Sequence, residues 1–591
     1  MIDFTSSAQE EEDVYMEVDE AENVKPAAKK VAAAAPKKAP AAKKAKVQDE
    51  IPVKAKRTSN AGEKAVEDIY QKKTQLEHIL LRPDTYIGSV EHISQPMWVY
   101  DAAADRMVQK NISFVPGFFK IFDEILVNAA DNKVRDASMD SIKVDIDAAQ
   151  GQISIYNSGR GIPVVMHAKE GVYVPELIFG HLLTSSNYDD KTKKITGGRN
   201  GYGAKLCNIF STEFTVDTAD GQAKKRFKQT FSRNMSVKSA PMITDWSKEE
   251  YTRITFKPDL EKFGMSGFDA DIVALFHKRV IDLAGCLKDV KVFYNGERVK
   301  VKNFKQYVEL YLKQQQAPAA NVEESSSVTN PGSVDIIHQV INDRWEVCVA
   351  ASDGQFQQVS FVNSINTYKG GTHVNHVTDQ IVSQLVEAAT KKSKSLQLKP
   401  FQVKNHLFVF VHCNIENPAF DSQTKENLTL KESLFGSKCP IPEEFVKKII
   451  SKSPVLDNVL QWARFKQDQQ LKKTDGAKKT RISGIAKLDD ANMAGTKQAG
   501  KCTLILTEGD SAKALAVSGL SVIGRDYWGV FPLRGKLLNV REAAHKQIME
   551  NAEINALKQI LGLQHGKVYS SADSLRYGRL MIMTDQVCQE L

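Results

Sequence analysis

The sequence predicts a multidomain α+β protein built from layered helices and sheets. Three observations carry this. The chain has 591 residues, enough for several hydrophobic cores. Hydrophobic residues make up 42% and charged residues 26%, the balance of a folded globular protein. From about residue 65 onward, segments with helical spacing alternate with segments of strand periodicity, as packed layers require. No apolar run approaches bilayer length, so no transmembrane helix is expected. The opening MIDFTSSAQEEEDVYMEVDE is acidic and lacks the apolar centre of a secretory signal.

Residues 1–58 read as a disordered acidic/basic tail. The stretch KPAAKKVAAAAPKKAPAAKKAK has no amphipathic face and too little apolar bulk to fold. Residues 1–24 hold nine acids and no Lys or Arg; residues 25–57 hold eleven Lys/Arg against Asp49 and Glu50. These blocks cancel, so the overall charge of +8 lies on residues 58–591. That surplus suits a nucleic-acid binder and equally a solvated surface. The cluster Lys43–Lys44–Ala45–Lys46 fits a nuclear address, a DNA-touching arm or a solubilising tail. Seven cysteines are dispersed without a CxxC pair, which argues against a zinc site or disulfide framework and suits a reducing compartment.

A first domain is expected over residues 59–265. VEDIYQKKTQLEHILLRP places Ile69, Leu76, Ile79 and Leu80 at helical spacing and stops at Pro83. FKIFDEILVNAADNKVRD (119–136) is a second amphipathic helix, and IKVDID (142–147) and QISIYN (152–157) alternate as strands. A second domain, 266–445, carries the strand-like runs VKVFYN, WEVCVAAS, FQQVSFVNSI and HLFVFVHCNI, with a polar surface insertion at 314–333. Residues 446–500 read as a Lys-rich helical connector. A third region, 501–591, opens with the buried-strand pattern CTLILTEGD. No internal repeat is present.

Six segments carry chemistry. In EILVNAADN, Glu124, Asn128 and Asn132 fall on one helix face, with Asp131 beside them. A carboxylate next to an amide oxygen orients water and helps hold Mg²⁺; an exposed polar stripe gives the same pattern. YNSGRGIP (156–163) places Asn157, able to pair with a base edge, before two glycines that permit close backbone approach, or simply form a turn. GGRNGYGAKLCNIFS (197–211) packs glycines directly before a helix with Lys205 in its first turn, an arrangement whose N–H groups cradle phosphate. It is neither a Walker A loop nor a GxGxxG following a strand. TSSN (184–187) adds hydroxyls and an amide just upstream. FDSQTKENL (420–428) is a polar turn bearing Gln423 and Lys425. TLILTEGDSA delivers Glu508 and Asp510 to the end of a buried strand, a usual place for metal chemistry. In GVFPLRGKLLNV, Arg534 and Lys536 flank Gly535, meeting phosphates or forming an exposed turn.

Together, in this order, these segments resemble the eukaryotic type II DNA topoisomerases over residues 65–585. EILVNAADN, NSGRGIP and GGRNGYGAK look like the three boxes of the GHKL (Bergerat) ATPase fold; QTK and PLRGK are specific to topoisomerases within that superfamily, and EGDSA marks a TOPRIM metal domain. The resemblance implies a GHKL α/β sandwich, a ribosomal S5-like transducer and a TOPRIM domain. By position it implies Glu124 as general base and Asn128 as the ligand of Mg²⁺ bound with ATP, with Asn132 on the same face. Asn157 would read the adenine edge; Ser185, Ser186 and Asn187 would meet ribose and phosphates. Gly198, Arg199, Asn200, Gly201, Tyr202, Gly203, Ala204 and Lys205 would close as a lid. Gln423, Thr424 and Lys425 would reach the γ-phosphate from the transducer. Lys391, Lys392 and Lys394, with Arg534 and Lys536, would meet double-stranded DNA, and Tyr70 would lie in an arm exchanged within a homodimer. A nuclear location and no membrane association follow. QTK and EGDSA disfavour a chaperone or mismatch-repair relative.

The chain departs from that family at its end. The family completes its TOPRIM metal site with DxDxDG; here MIMTDQVCQEL matches only the first acid, Asp585, and sets Val587 at the next. A Val cannot ligate a hard cation, leaving Glu508 and Asp510 without partners. The expectation is an ATP-hydrolysing gate that does not cleave DNA by itself, with residues 501–591 an incomplete and loosely packed TOPRIM domain. The alternative is a non-cutting ATP-gated DNA clamp, or a truncated isoform that poisons full-length dimers.

Overall fold

A computed structural model describes residues 70–184, 191–198, 201–313, 336–393, 398–535, 537–543 and 545–584. The expected contact residues Ser185, Ser186, Asn187, Arg199, Asn200, Lys394, Lys536, Asp585 and Val587 lie outside them.

The first sheet forms around the predicted hairpin. Ser141–Asp147 pairs antiparallel with Gln152–Ser158, and the order continues through Tyr251–Pro258, Ser211–Asp220 and Lys225–Ser232. Its inward residues alternate, as one covered face demands. The helix Pro116–Arg135 lies against it. Pro116 occupies the first turn, where its missing N–H costs nothing. Phe118, Ile121, Phe122, Ile125 and Leu126 join the core, and Asp136 leaves the helical conformation and ends it.

The expected boundary at 265 is corrected. Lys291–Tyr294, read as part of the second domain, pairs parallel with Ser141–Asp147 in the first sheet. The helix Ala270–Cys286 also packs Leu275, Phe276 and Val280 into the first core, with the Phe276 and Phe122 rings 4.2 Å apart. Hydropathy locates a strand without naming its partner. Of the first expected helix, residues 66–69 lie outside the described residues, 70–74 are not helical, and Thr74 opens the helix Gln75–Leu81 in a reciprocal capping box with Glu77.

The second sheet has the order Ile337–Asn342, Trp345–Ala351, Leu407–Cys413, Gln357–Val362, Ile365–Asn366. Leu407–Cys413 is buried along its whole length, which explains its unbroken apolar run. The helix Thr372–Lys392 covers this sheet through Val377, Ile381 and Leu385. The third sheet is parallel, with Thr503–Glu508 between Trp528–Leu533 and Arg579–Met583.

The helical connector is also corrected. Helices span Glu443–Lys452 and Val455–Lys473, after which the chain is irregular to residue 498. Ala491 and Ala494 are buried in the third core, and the Asp489 and Val530 backbones bond each other in both directions. This part of the supposed linker is thus a layer of the third fold. The six described cysteines are buried and free. Among the described residues no helix is long and apolar enough to cross a membrane.

Candidate functional site

A cavity of about 510 Å³ opens between the Pro116–Arg135 helix, the end of Gln152–Ser158 and the helix Gly203–Ile209. One end is apolar, walled by Ile125, Ile155, Ile162 and Ile254. The other end gathers Glu124, Asn128, Lys205, Gln423 and Lys425. An apolar slot leading to a charged end suits a flat base joined to an anion.

The polar face of the Pro116–Arg135 helix is no solvent stripe. Glu124 is 4% and Asp131 3% exposed. Asn128 and Asn132 are half-buried and line the cavity. Burial alone would push the Glu124 carboxyl up. The ammoniums of Lys120 and Lys425, both within hydrogen-bond reach of Oε1 at 2.8 and 2.9 Å, reverse that and bring it to about 2. Lys425 lies 301 residues further along the chain. Its backbone is left-handed, φ +62°, a conformation costing a non-glycine residue about 1–3 kcal/mol, which the buried contact offsets.

Asn157 closes the apolar end. It is buried, and its amide donates to the Ser158 carbonyl at 3.0 Å. The turn behind it is pinned from Ser211–Asp220, two strands over: Ile162 N–H donates to Thr218 Oγ1 and Val164 N–H to Asp220. Gly161 is required there, because a Cβ would lie 1.9 Å from the Ala219 carbonyl oxygen.

The glycine-rich segment covers the charged end. Gly198, Gly201, Tyr202, Gly203, Ala204 and Lys205 all line the cavity. Gly203 rests on the Glu124 carboxylate so closely that a Cβ would sit 2.0 Å from Oε2. Lys205 is 3% exposed, donates to the Thr184 carbonyl at 2.6 Å, and is lowered by burial to about 8.

Several expected residues lie elsewhere. Gln423 and Lys425 enter the cavity, but Thr424 does not: it lines the adjoining space with Glu426, its hydroxyl paired with Ser422. Neighbouring loop residues point opposite ways, which a motif read as one unit cannot show. Glu508 and Asp510 are exposed, with Asp510 paired to Lys487 at 2.7 Å. Among the described residues no three His, Cys, Asp or Glu side chains converge on a metal position. Lys391 and Lys392 sit exposed at a helix end, Lys392 paired with Asp457. Arg534 is exposed, and Tyr70 is 79% exposed.

Three participants went unnoticed in the sequence, and a fourth, Asp131, was placed beside the helix face without its role. Asp131 accepts from the Gly197 and Gly198 N–H groups at 2.7 and 2.8 Å, anchoring the base of the lid; burial raises its carboxyl despite those donors. Lys120 pairs with Glu124 and Asp123, and Asp123 in turn with Arg279. Of the unnoticed three, only Lys120 left a signal, an ammonium one helical turn before Glu124 on an apolar face. Arg279 is distant in sequence and had none.

A helix-borne carboxylate, an asparagine-ended strand and a glycine lid over one cavity define an ATP-binding module of the GHKL class. Comparisons with known proteins agree. The family of histidine kinase-, DNA gyrase B- and HSP90-like ATPases matches residues 116–262, and that of DNA gyrase B matches residues 303–479. The chain is 60% identical over 526 residues to DNA topoisomerase 2 of Drosophila melanogaster, covering 88% of this chain and 36% of that protein. It is 60% identical to DNA topoisomerase 2 of Arabidopsis thaliana, covering 90% and 35%. It aligns with the whole crystal structure of the ATPase region of Saccharomyces cerevisiae topoisomerase II at 53% identity and a TM-score of 0.61, over 67% of this chain. The ATPase and transducer domains of DNA topoisomerase II from Balamuthia mandrillaris align at 47% identity and a TM-score of 0.63, over 68% of this chain and all of that one. The chain belongs to the eukaryotic type II DNA topoisomerase family. It spans about a third of the length of the curated relatives it matches.

Proposed function

We propose that the chain binds ATP in this cavity and hydrolyses it as the ATP-driven gate of a type II DNA topoisomerase. The observation that carries this is the contact of Lys425 with Glu124. A cation on a loop of the second fold meets the carboxylate placed to activate water, so a γ-phosphate arriving there competes for that cation. Nucleotide state then moves one fold against the other.

Phosphoryl transfer needs positioning and charge neutralisation more than covalent chemistry. Glu124 takes the proton of the attacking water. Gln423 and Lys425 meet the γ-phosphate, and the lid from Gly198 to Lys205 encloses the phosphates. Asn157 reads the adenine edge. Mg²⁺ suits a site offering the Asn128 amide oxygen, because this ion takes most of its ligands from phosphates and water; when bound it neutralises phosphate charge.

The wider reading rests on the family. It comprises a GHKL domain, an S5-like transducer and a TOPRIM region with Glu508 as a metal ligand. It further comprises a homodimer in which Tyr70 belongs to the exchanged arm, double-stranded DNA met by Lys391, Lys392 and Arg534, and a nuclear location. The basic surplus on residues 58–591 agrees with a DNA partner.

Glu124→Gln tests the core of this reading. ATP turnover falls about 100-fold or more, while binding of a non-hydrolysable ATP analogue persists. Turnover within a few-fold of the parent chain removes Glu124 from the mechanism.

A further inference from the structure

Lys120 lies one helical turn before Glu124 and is 5% exposed. A buried ammonium is expensive unless it is paired. Its partners are Glu124 Oε1 at 2.8 Å and Asp123 Oδ2 at 3.6 Å. Burial pushes the ammonium down, and these two carboxylates more than restore it. Asp123 Oδ1 accepts from Arg279 Nε at 2.6 Å, and Arg279 Nη2 donates to the Ser364 carbonyl at 2.6 Å. Ser364 sits in the turn between the second-sheet strands Gln357–Val362 and Ile365–Asn366. A buried polar chain therefore runs from Glu124 through Lys120, Asp123 and Arg279 to the second fold.

Among the described residues, the charged and titratable groups nearest Glu124 come from four elements. The helix itself supplies Lys120, Asp123 and Asp131. The loop of the second fold supplies Lys425, the Gly203–Ile209 helix supplies Lys205 and Cys207, and the Ala270–Cys286 helix supplies Arg279. Only Lys120 and Lys425 reach the Glu124 oxygens among these. Lys205 is bonded to the Thr184 carbonyl.

We propose that Lys120 is a positioning residue for ATP hydrolysis. Lys120 and Lys425 together hold Glu124 as a doubly paired carboxylate, and Lys120 keeps it ionised and oriented when the nucleotide draws Lys425 away. The proposal rests on Glu124 being the base. It divides the two cations by their anchorage: Lys425 stands on a loop of the second fold, whereas Lys120 stands on the same helix as its partner. A carboxylate with two ammoniums is a weak base. Releasing one strengthens it, and retaining the other prevents a desolvated carboxyl from taking up a proton in advance.

The sign of the pH effect follows. Cations lower the Glu124 carboxyl, so the acid limb of turnover lies low in the intact chain. Removing Lys120 raises that carboxyl, by about one to three units per lost neighbouring charge, and moves the acid limb toward neutral pH.

The full chain carrying Lys120→Met is compared with Lys120→Arg and with the parent, measuring ATP turnover against pH and affinity for a non-hydrolysable ATP analogue. For Lys120→Met we expect kcat to fall about tenfold, a small change in KM, and an acid limb moved up by a unit or more. Lys120→Arg, which keeps the charge, holds the limb in place. An unmoved limb in Lys120→Met overturns the proposal, as does an equal shift in Lys120→Arg. If Lys120→Met fails to bind the analogue, Lys120→Gln, neutral but polar, takes its place in the same comparison with the same two outcomes. Glu124→Gln separates the two readings: full turnover in that variant fails the general base itself, whereas a dead Glu124→Gln beside an unmoved limb fails Lys120 only.

Discussion

Single residues set the shape of this site by what they leave out. Gly161 lets the strand-end turn lie flat on the Ala219 carbonyl, and Gly203 lets the lid rest on the Glu124 carboxylate. A methyl group at either place enters space already held by another atom. Gly161→Ala must displace backbone, and overpacking of this kind costs about 1–3 kcal/mol. The variant should melt several degrees lower and bind ATP more weakly. Unchanged melting by calorimetry would mean that the turn yields without cost. The glycines were legible as a cluster, but which of them touches what was not, because Gly161 meets Ala219 and Gly203 meets Glu124, each far away in sequence.

At the scale of elements, one helix does two jobs. The Pro116–Arg135 helix buries Phe118, Phe122 and Leu126 in the core and turns Glu124, Asn128 and Asn132 to the cavity. Asp131, directly before Asn132, faces the lid and not the cavity, holding two glycine N–H groups. Hydrogen bonds to a buried charge are worth about 1.5–3 kcal/mol each. Asp131→Ala should therefore free the base of the lid and weaken ATP affinity about tenfold or more. Hydrogen exchange at Gly197 and Gly198 should quicken in parallel. Parent-like affinity with unchanged exchange would show that the lid is held from elsewhere. The spacing of the helix was readable because period 3.6 is local. The lid contact was not, since it joins elements 66 residues apart.

Across the whole molecule, the folds differ in how well they are covered. Gln152–Ser158 in the first sheet buries alternate residues and leaves none exposed, Leu407–Cys413 in the second is buried throughout, and Thr503–Thr507 is buried in the third. Arg579–Met583 is different: Leu580, Met581 and Ile582 are 50, 45 and 67% exposed. On the helix Gly509–Ile523, Leu515, Val522 and Ile523 are exposed as well. Local stability follows buried apolar contact. Brief proteolysis should therefore cut within residues 474–584 before it cuts the strands of the first two sheets. First cuts within the Ser141–Asp147 and Gln152–Ser158 hairpin, read by mass spectrometry, would contradict this ordering.

The sequence by itself determined the local periods, the order of the motifs and the family, because each of these is written in neighbouring residues. The Pro116–Arg135 helix, the asparagine-ended strand and the glycine lid were all identifiable that way. Tertiary structure alone decided that Lys291–Tyr294 closes the first sheet, that residues 485–494 belong to the third core, and that Thr424 turns from the cavity while Lys425 enters it. It also decided that Glu124 is clamped by two ammoniums and linked through Lys120, Asp123 and Arg279 to Ser364. The physical reason is common to all of these. Burial, backbone pairing and ion pairing join groups far apart in sequence, up to the 301 residues between Glu124 and Lys425, and their strength depends on the exclusion of water, which no local pattern of residues records.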